Sequence, residues 1–289
     1  MAGADGFRHN ARMEWLTQLF RRHAPRIPDP LWQYCVARLD FLARLPADDQ
    51  ARLKTLSEEL LARKTFSGAD GLALDDETAV LIAAQATLPV LNLTLDLYRD
   101  MAGVIVYPAA FVIPQTEIDE AGVVHEWQEP VSGEAIDAGG AVVLSWEDAQ
   151  QSDTAGYNVV IHEFVHKIDM ADGGANGRPP FLPEFHRELS PGRWRREFEA
   201  AYEDFVARVD ALEAQLPDDF DDDKPSHASL YDGLAAELPL DPYAARHPAE
   251  FFAVASEAFF VLPEPLAREY PEVFDLLRLY YRQNPLMPL

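Results

Sequence analysis

The segment GYNVVIHEFVHKIDM, residues 156–170, places His162, Glu163 and His166 in a mostly apolar stretch. His162 and His166 are four residues apart, so on an α-helix both imidazoles project from the same face. Two nitrogens at this spacing can bind one zinc ion, and Glu163 is close enough to reach a water molecule at that ion. Burying these groups is costly unless they are paired or ligated. The segment therefore predicts a buried helix that holds a zinc ion.

The composition is that of a globular chain, with 48% hydrophobic and 25% charged residues among 289. It excludes collagen-like, low-complexity and wholly disordered chains. Asp and Glu number 49 against 24 Lys and Arg, so the net charge is −25. Because this field repels phosphate backbones, we expect no direct binding of nucleic acid. The single cysteine, Cys35, excludes a disulfide framework, and its apolar neighbours predict a buried thiol.

The sequence gives no support for membrane insertion. Residues 1–20 lack the apolar stretch of a signal peptide. The longest apolar region, residues 79–95, is interrupted by Gln85, Pro89 and Asn92, so it is too short to span a bilayer. We therefore expect a soluble cytoplasmic protein that binds no membrane.

Helical spacing of apolar residues occurs on both sides of a short β-rich region. Strands are predicted at 104–108, 123–127 and 141–146, and helices from about Pro30, from Pro46, and at 76–88, 156–170, 193–214, 248–261 and 271–282. This order indicates an α+β, mostly helical fold, without the regular alternation of a parallel βαβ fold. We predict a helical region, residues 1–70, packed on a body of residues 71–289, both in one continuous globular unit. The arginine-rich residues 1–26 predict a solvated terminal helix.

A catalytic zinc needs a third protein ligand and one open position. The residues after His166 lack the HExxHxxGxxH extension, so this ligand comes from elsewhere. The best segment is HPAEFFAVASEAFFVLP, residues 247–263, where Glu250 and Glu257 share one face of an apolar helix. One would bind the metal and the other would accept a hydrogen bond from a histidine, and their spacing does not say which. Weaker ligand candidates are His125, His186, His227 and His247.

Asp169 is a further candidate for supporting a metal ligand. It lies seven residues after His162 and three after His166, hence on the same helix face. A histidine bound to metal usually donates its second ring N–H to a carboxylate or a carbonyl, and Asp169 could accept it. The alternative is an ordinary aspartate at the carboxyl end of a helix.

The segments HEFVHKID and PYAARHPAEFFAVASEAFF resemble the Mlc titration factor A family of bacterial cytosolic zinc peptidases. IAAQATLPVL, VIVYPAAFVIP and LSWEDA also look like that family, so the resemblance covers roughly residues 10–285. The paired HEFxHxxD and YxxxxxxEFF pattern is similar to the catalytic domain of anthrax lethal factor. This resemblance implies a zincin-like catalytic region in which the HExxH helix forms the active site beside a small sheet.

The resemblance also assigns roles. It implies that His162, His166 and Glu250 bind one zinc ion, that Glu163 is the general base, and that Tyr243 stabilises the oxyanion. Glu257 and Asp169 remain the candidates for supporting the ligands. It further implies an aminopeptidase-like activity on peptides and binding to a repressor like Mlc, which regulates sugar uptake. The alternatives are a zinc-stabilised protein that sequesters a transcriptional regulator, with vestigial or gated peptidase activity, and a non-proteolytic zinc amidase.

Overall fold

The computed structural model describes residues 26–109, 111–118, 124–131, 133–135, 139–150, 156–221 and 223–287. Except for Arg26, the arginine-rich segment that predicts a terminal helix lies outside these ranges.

Helices precede and follow a small sheet. The helices are α1 (Asp29–Ala37), α2 (Asp40–Ala43), α3 (Ala47–Arg63), α4 (Asp76–Thr87), α5 (Trp146–Gln150), α6 (Val159–Asp169), α7 (Pro191–Glu213), α8 (Pro225–Ala235), α9 (Pro248–Val261), α10 (Pro263–Glu269) and α11 (Pro271–Tyr281). The strands are β1 (Thr65–Gly68), β2 (Gly103–Tyr107), β3 (Phe111–Ile118), β4 (Val124–Val131), β5 (Gly133–Ala135) and β6 (Val142–Ser145). The predicted α+β, mostly helical class is confirmed.

The described sheet has the strand order β1-β2-β6-β5. β1, β2 and β6 are parallel, with α4 in the connection between β1 and β2, and β5 pairs antiparallel with β6. The β1-α4-β2 connection belongs to a small sheet in a mostly helical chain, which is consistent with the predicted α+β class. β1 was not predicted, because this four-residue strand has mostly exposed side chains and lacks the apolar alternation by which strands are predicted.

β3 and β4 form a separate two-stranded antiparallel sheet. β3 and β4 pair from Phe111 opposite Val131 to Ile118 opposite Val124. The predicted strand 123–127 overlaps β4, which continues to Val131, whereas β3 was not predicted. Pro114 lies in β3, and a proline within a run argues against a strand in sequence analysis.

The buried apolar residues form one cluster that extends from Ile27 to Tyr281. It includes side chains of α1, α3, α4, α6, α7, α9 and α11. The helices near the amino terminus therefore share a core with the histidine-bearing helix α6. The division of the chain at residue 70 stays a prediction.

The helix α6 is enclosed on several sides. It contacts α4, α9, β5 and β6, and every one of its residues is buried. α4 is buried from Thr78 to Thr87, which fits a helix that is apolar all round. α9 begins with Pro248 at a position where a proline sacrifices no helical hydrogen bond, and it too is almost wholly buried. Packing two such helices together brings their few polar side chains face to face.

Two further expectations concern single features. Cys35 is completely buried, as predicted, and burial raises the pKa of its thiol to about 12, so the thiolate does not form at neutral pH. Within the described part of the chain, no helix combines the length and the apolar character needed to cross a bilayer.

His186 belongs to an aromatic cluster of the core. Its Nδ1 atom accepts a hydrogen bond from the Leu182 backbone N–H at 2.9 Å, so Nε2 carries the proton and donates to the Tyr280 carbonyl at 3.0 Å. The imidazole also stacks on the Tyr280 ring with centroids 4.4 Å apart. Burial lowers the pKa of His186 below its ordinary value of 6.5, although the bond to Tyr280 opposes this shift.

We expect His186→Gln to destabilise the protein most above pH 6.5. The native state holds His186 neutral while the unfolded chain binds a proton, so its stabilising contribution is complete above the unfolded pKa and declines as the pH falls through that value. Denaturant unfolding of both proteins between about pH 8 and about pH 5 measures the difference. A difference in unfolding free energy that is constant over this range would contradict the assignment.

Candidate metal centre

Asn158 caps the amino terminus of α6, whose first residue is Val159. The Asn158 side-chain oxygen accepts a hydrogen bond from the Ile161 backbone N–H at 2.8 Å, which satisfies a donor that the helix itself leaves unpaired. One turn later His162 and Glu163 follow, and after a further turn His166, at 9%, 4% and 7% exposure respectively. The cap thus fixes where the histidine-bearing helix begins.

Three side chains from α6 and α9 converge on one point. The Nε2 atoms of His162 and His166 are 3.1 Å apart, and the Oε2 atom of Glu250 lies 3.1 Å from the first and 3.2 Å from the second. A tetrahedral zinc ion with bonds of about 2.0–2.2 Å has ligand atoms roughly 3.3–3.5 Å apart. The triangle therefore has nearly the size of one face of a zinc coordination tetrahedron.

The protonation of His162 explains why this triangle suits a cation. The Nδ1 atom of His162 lies 2.6 Å from Glu257 Oε1, so the proton of the neutral ring belongs at Nδ1 and the Nε2 lone pair faces Glu250. Burial disfavours the charged ring, but Glu257 and Glu250 raise the pKa of His162 well above its ordinary value. A cation can take the place of a proton between these acceptors, and two imidazoles with one carboxylate form a donor set typical of zinc.

Glu250 and Glu257 lie on opposite sides of His162. Glu250 faces the Nε2 atoms, whereas Glu257 contacts Nδ1 and also accepts a hydrogen bond from the Asn158 backbone N–H at 2.6 Å. Burial opposes the charge on Glu250, but hydrogen bonds with both histidines hold the pKa of its carboxyl well below the ordinary value. Among the described residues, the cluster with metal-binding geometry consists of His162, His166 and Glu250.

Glu163 is buried beside the cluster. Its Oε2 atom has no hydrogen-bond partner among the described side chains and backbone groups. Burial raises the pKa of the Glu163 carboxyl to about 7, with the two histidines opposing the shift and Glu250 and Glu257 adding to it. A carboxylate with a pKa near neutrality is suited to accept and return a proton.

Tyr243 stands at the open side of the cluster, in a short 3₁₀ turn, Pro242–Ala245, that contacts α9. Its ring centroid is 6.0 Å from that of His162, and the residue is 42% exposed. The Arg246 guanidinium lies over the ring at 4.8 Å. Partial burial raises the pKa of the Tyr243 hydroxyl to about 12, so the group keeps its proton and can donate a hydrogen bond.

Asp169 makes different contacts from those expected. Its Oδ2 atom accepts hydrogen bonds from the backbone N–H groups of Asn176 and Gly177, both at 2.7 Å, and the described structure contains no hydrogen bond between Asp169 and His166. Gly177 is also close to the start of α9 and accepts a hydrogen bond on its carbonyl from Trp194 Nε1 at 3.1 Å. Asp169 therefore holds the loop after α6 against its own helix, and Gly177 of that loop lies close to Pro248 at the start of α9.

The other candidate histidines lie elsewhere. His247 caps α9 by accepting from the Ala249 backbone N–H at 3.1 Å, His227 stacks on Phe220, and His186 lies in the aromatic cluster described above. His125 is on β4, where the structure describes the backbone alone.

Sequence analysis missed Asn158 and Arg246. An asparagine directly before an apolar helix is a cap signal that could have indicated Asn158.

Comparison with known proteins gives a consistent set of relatives. A sequence profile for a family described as glucose-regulated metallo-peptidase M90 matches residues 12–282. Mlc titration factor A of Serratia proteamaculans is 35% identical over 260 residues, which cover 89% of this chain and 88% of that protein. Mlc titration factor A of Escherichia fergusonii is 32% identical over 269 residues, 93% and 91% of the two chains. An uncharacterized protein of Synechocystis sp. is 32% identical over 275 residues, 93% and 88% of the two chains.

We expect His166→Ala to abolish zinc binding, because only two of the three protein ligands that a catalytic zinc ion requires would remain. His227→Ala is the matched control, since His227 stacks on Phe220 away from the cluster. Metal analysis after gel filtration should find about one zinc ion per chain in the control and close to none in the variant. Equal zinc content would contradict the ligand assignment.

We expect Gly177→Ala to weaken both stability and zinc binding. Gly177 has a φ of +76°, and an added Cβ would lie 2.5 Å from the Pro248 carbonyl oxygen, two residues before Glu250. The strain should lower the free energy of unfolding by about 1–3 kcal/mol.

Gly174→Ala in the same loop is the control, because a Cβ there meets nothing within 4 Å. Denaturant unfolding and zinc titration measure the two effects. A Gly177→Ala variant as stable as the control would contradict the role given to this contact.

Proposed function

The chain belongs to the glucose-regulated metallopeptidase family M90, together with proteins named Mlc titration factor A, and we propose that it hydrolyses peptide bonds at a zinc ion held by His162, His166 and Glu250. The observation that carries the proposal is the triangle of ligand atoms with sides of 3.1–3.2 Å, buried between α6 and α9. A family of metallopeptidases implies a metal ion, and the donor set favours zinc. We assign the region around α6 and α9 to a zincin-like arrangement.

Three protein ligands and one open position distinguish a catalytic zinc site from a structural one. Binding of Glu257 or His247 as a fourth protein ligand would close the site. Glu257 is engaged with His162 Nδ1 and the Asn158 backbone, and His247 with the backbone of its own helix. Both arrangements support a site with an open fourth position.

In the proposed mechanism, Glu163 transfers the proton of the attacking water and Tyr243 stabilises the negative charge that develops on the carbonyl oxygen. The zinc ion, when bound, supplies a Lewis acid that lowers the pKa of water to about 7 and polarises the scissile carbonyl. Glu163 accepts the proton from the attacking water and later returns it to the leaving amine. Tyr243 donates a hydrogen bond to the oxygen on which negative charge develops. Burial around Glu163 excludes bulk water and so strengthens these interactions.

We propose short peptides with a free amino terminus as substrates, in an aminopeptidase-like reaction in the cytoplasm. The net charge of −25 supports this choice, because it favours the approach of a protonated amine. A second candidate function is binding to a transcriptional repressor like Mlc, and it is favoured by the name of the relatives, Mlc titration factor A. In that case the zinc site would stabilise an interaction protein.

We expect Glu163→Gln to retain zinc and to lower kcat by about 10²–10⁴-fold, because the amide preserves the shape of the side chain and cannot accept the proton. Glu264→Gln, an exposed change on α10, is the control. Zinc content and cleavage of amino-acid p-nitroanilides and short peptides are measured for wild type and both variants.

Full activity of Glu163→Gln would contradict its role as the base. A wild type that binds zinc and cleaves none of the substrates would favour the interaction protein, and the next measurement would be binding to a purified Mlc-like repressor.

A further inference from the structure

A series of hydrogen bonds connects His162 of the candidate metal centre to polar residues in the core that are neither ligands nor the base. Its members are His162 on α6, Glu257 on α9, Asn158 before α6, and Gln85 on α4. All four are buried, with exposures of 9%, 2%, 0% and 1% in that order. Three helices that are distant in sequence are thereby joined by polar contacts within an apolar core.

The hydrogen bonds farthest from the metal centre fix the orientations of the Gln85 and Asn158 side-chain amides. Gln85 Nε2 donates to the Leu81 carbonyl at 3.0 Å, so its Oε1 atom faces Asn158 and accepts from Nδ2 at 2.8 Å. Asn158 Oδ1 in turn accepts from the Ile161 backbone N–H at 2.8 Å. Turning either amide over would place two donors or two acceptors together, so the orientations of both are determined.

The hydrogen bonds nearest the metal centre connect Asn158 to His162 through Glu257. The Asn158 backbone N–H donates to Glu257 Oε2 at 2.6 Å, and Glu257 Oε1 accepts from His162 Nδ1 at 2.6 Å. Both carboxylate oxygens are therefore engaged, and the rotation of the Glu257 carboxylate is fixed. A fixed carboxylate at Nδ1 keeps the His162 ring oriented, with the Nε2 lone pair directed at the ligand cluster.

Gln85 is not one of the three candidate ligands, yet it is the one amide within the buried run from Thr78 to Thr87 of α4. Burying an amide costs free energy unless both of its ends are paired. One end is paired within its own helix, and the other end is directed at the residue that begins the histidine-bearing helix.

We propose that Gln85 and Asn158 are positioning residues that hold Glu257, and through it His162, in the orientation that binds zinc. This inference rests on the proposed zinc site. It adds residues that act on the ligand His162 only through Glu257. Without the Gln85 oxygen, the Asn158 amide loses its partner and the peptide group that anchors Glu257 becomes free to shift. Loss of such supporting contacts typically weakens metal affinity by about 10–100-fold.

The test uses Gln85→Met, which keeps the length of the side chain and removes both polar ends. Leu81→Met, one turn earlier on the same buried helix, is the matched control for a core substitution. Gln85→Glu is the conservative variant, because a neutral buried glutamic acid can still accept from Asn158 and donate to the Leu81 carbonyl. Asn158→Asp keeps the oxygen that caps α6 and removes the donor to Gln85, so it serves if Gln85→Met does not fold.

Three quantities are measured on the full chain: the zinc dissociation constant by competition with a chelator, the visible absorption of the cobalt(II)-substituted protein, and the unfolding temperature of the metal-free protein. We expect Gln85→Met and Asn158→Asp to raise the zinc dissociation constant about 10–100-fold and to change the cobalt spectrum. Leu81→Met should leave both unchanged, and Gln85→Glu should restore most of the affinity.

A lower unfolding temperature for Gln85→Met, combined with wild-type zinc affinity and cobalt spectrum, would show a purely structural role and overturn this inference alone. A wild type that binds no zinc would overturn the proposed function and this inference together. The readouts require no peptide cleavage, so an inactive wild type that binds zinc still decides between the outcomes.

Discussion

The hydrogen bond between His162 Nδ1 and Glu257 is the interaction on which the site depends. It assigns the proton of the ring, and so determines which atom of His162 is available to a metal. It also requires a carboxylate inside the core, and burial raises the pKa of Glu257 despite the opposing effects of His162 and the Asn158 backbone N–H. A charge in such surroundings persists only where its partners are held in place, and α4, α6 and α9 together hold them.

This requirement explains why the helices are apolar on nearly every face. α6 directs His162 and His166, and α9 directs Glu250 and Glu257, toward one another, while the apolar residues of both helices pack in the core. Close packing limits the movement of the ligands, because neighbouring side chains occupy the space into which they would turn. The loop bound by Asp169 also packs closely against the start of α9 at Gly177. Rigidity around the site thus comes from the core and from the loop.

The sequence was most informative where local chemistry decides the structure. The HExxH spacing on an apolar helix predicts the juxtaposition of His162 and His166, and the apolar helix with two glutamates indicates the partner segment. Spacing alone did not choose between Glu250 and Glu257, because both occupy one helix face. Their separate positions depend on where α9 crosses α6, which is a property of tertiary packing. The contacts of Asp169 depend on a loop conformation, and β1 on pairing with β2, neither of which local patterns encode.

The side chains of the cluster come from distant parts of the chain, since 84 residues separate His166 from Glu250. During synthesis, the amino-terminal helices, the sheet and α6 leave the ribosome before α9 exists. A nascent chain at that stage has the two histidines of the cluster without Glu250, and it exposes the surface of α6 that α9 later covers. The set of three candidate ligands is therefore complete only in chains whose carboxyl-terminal helices have docked.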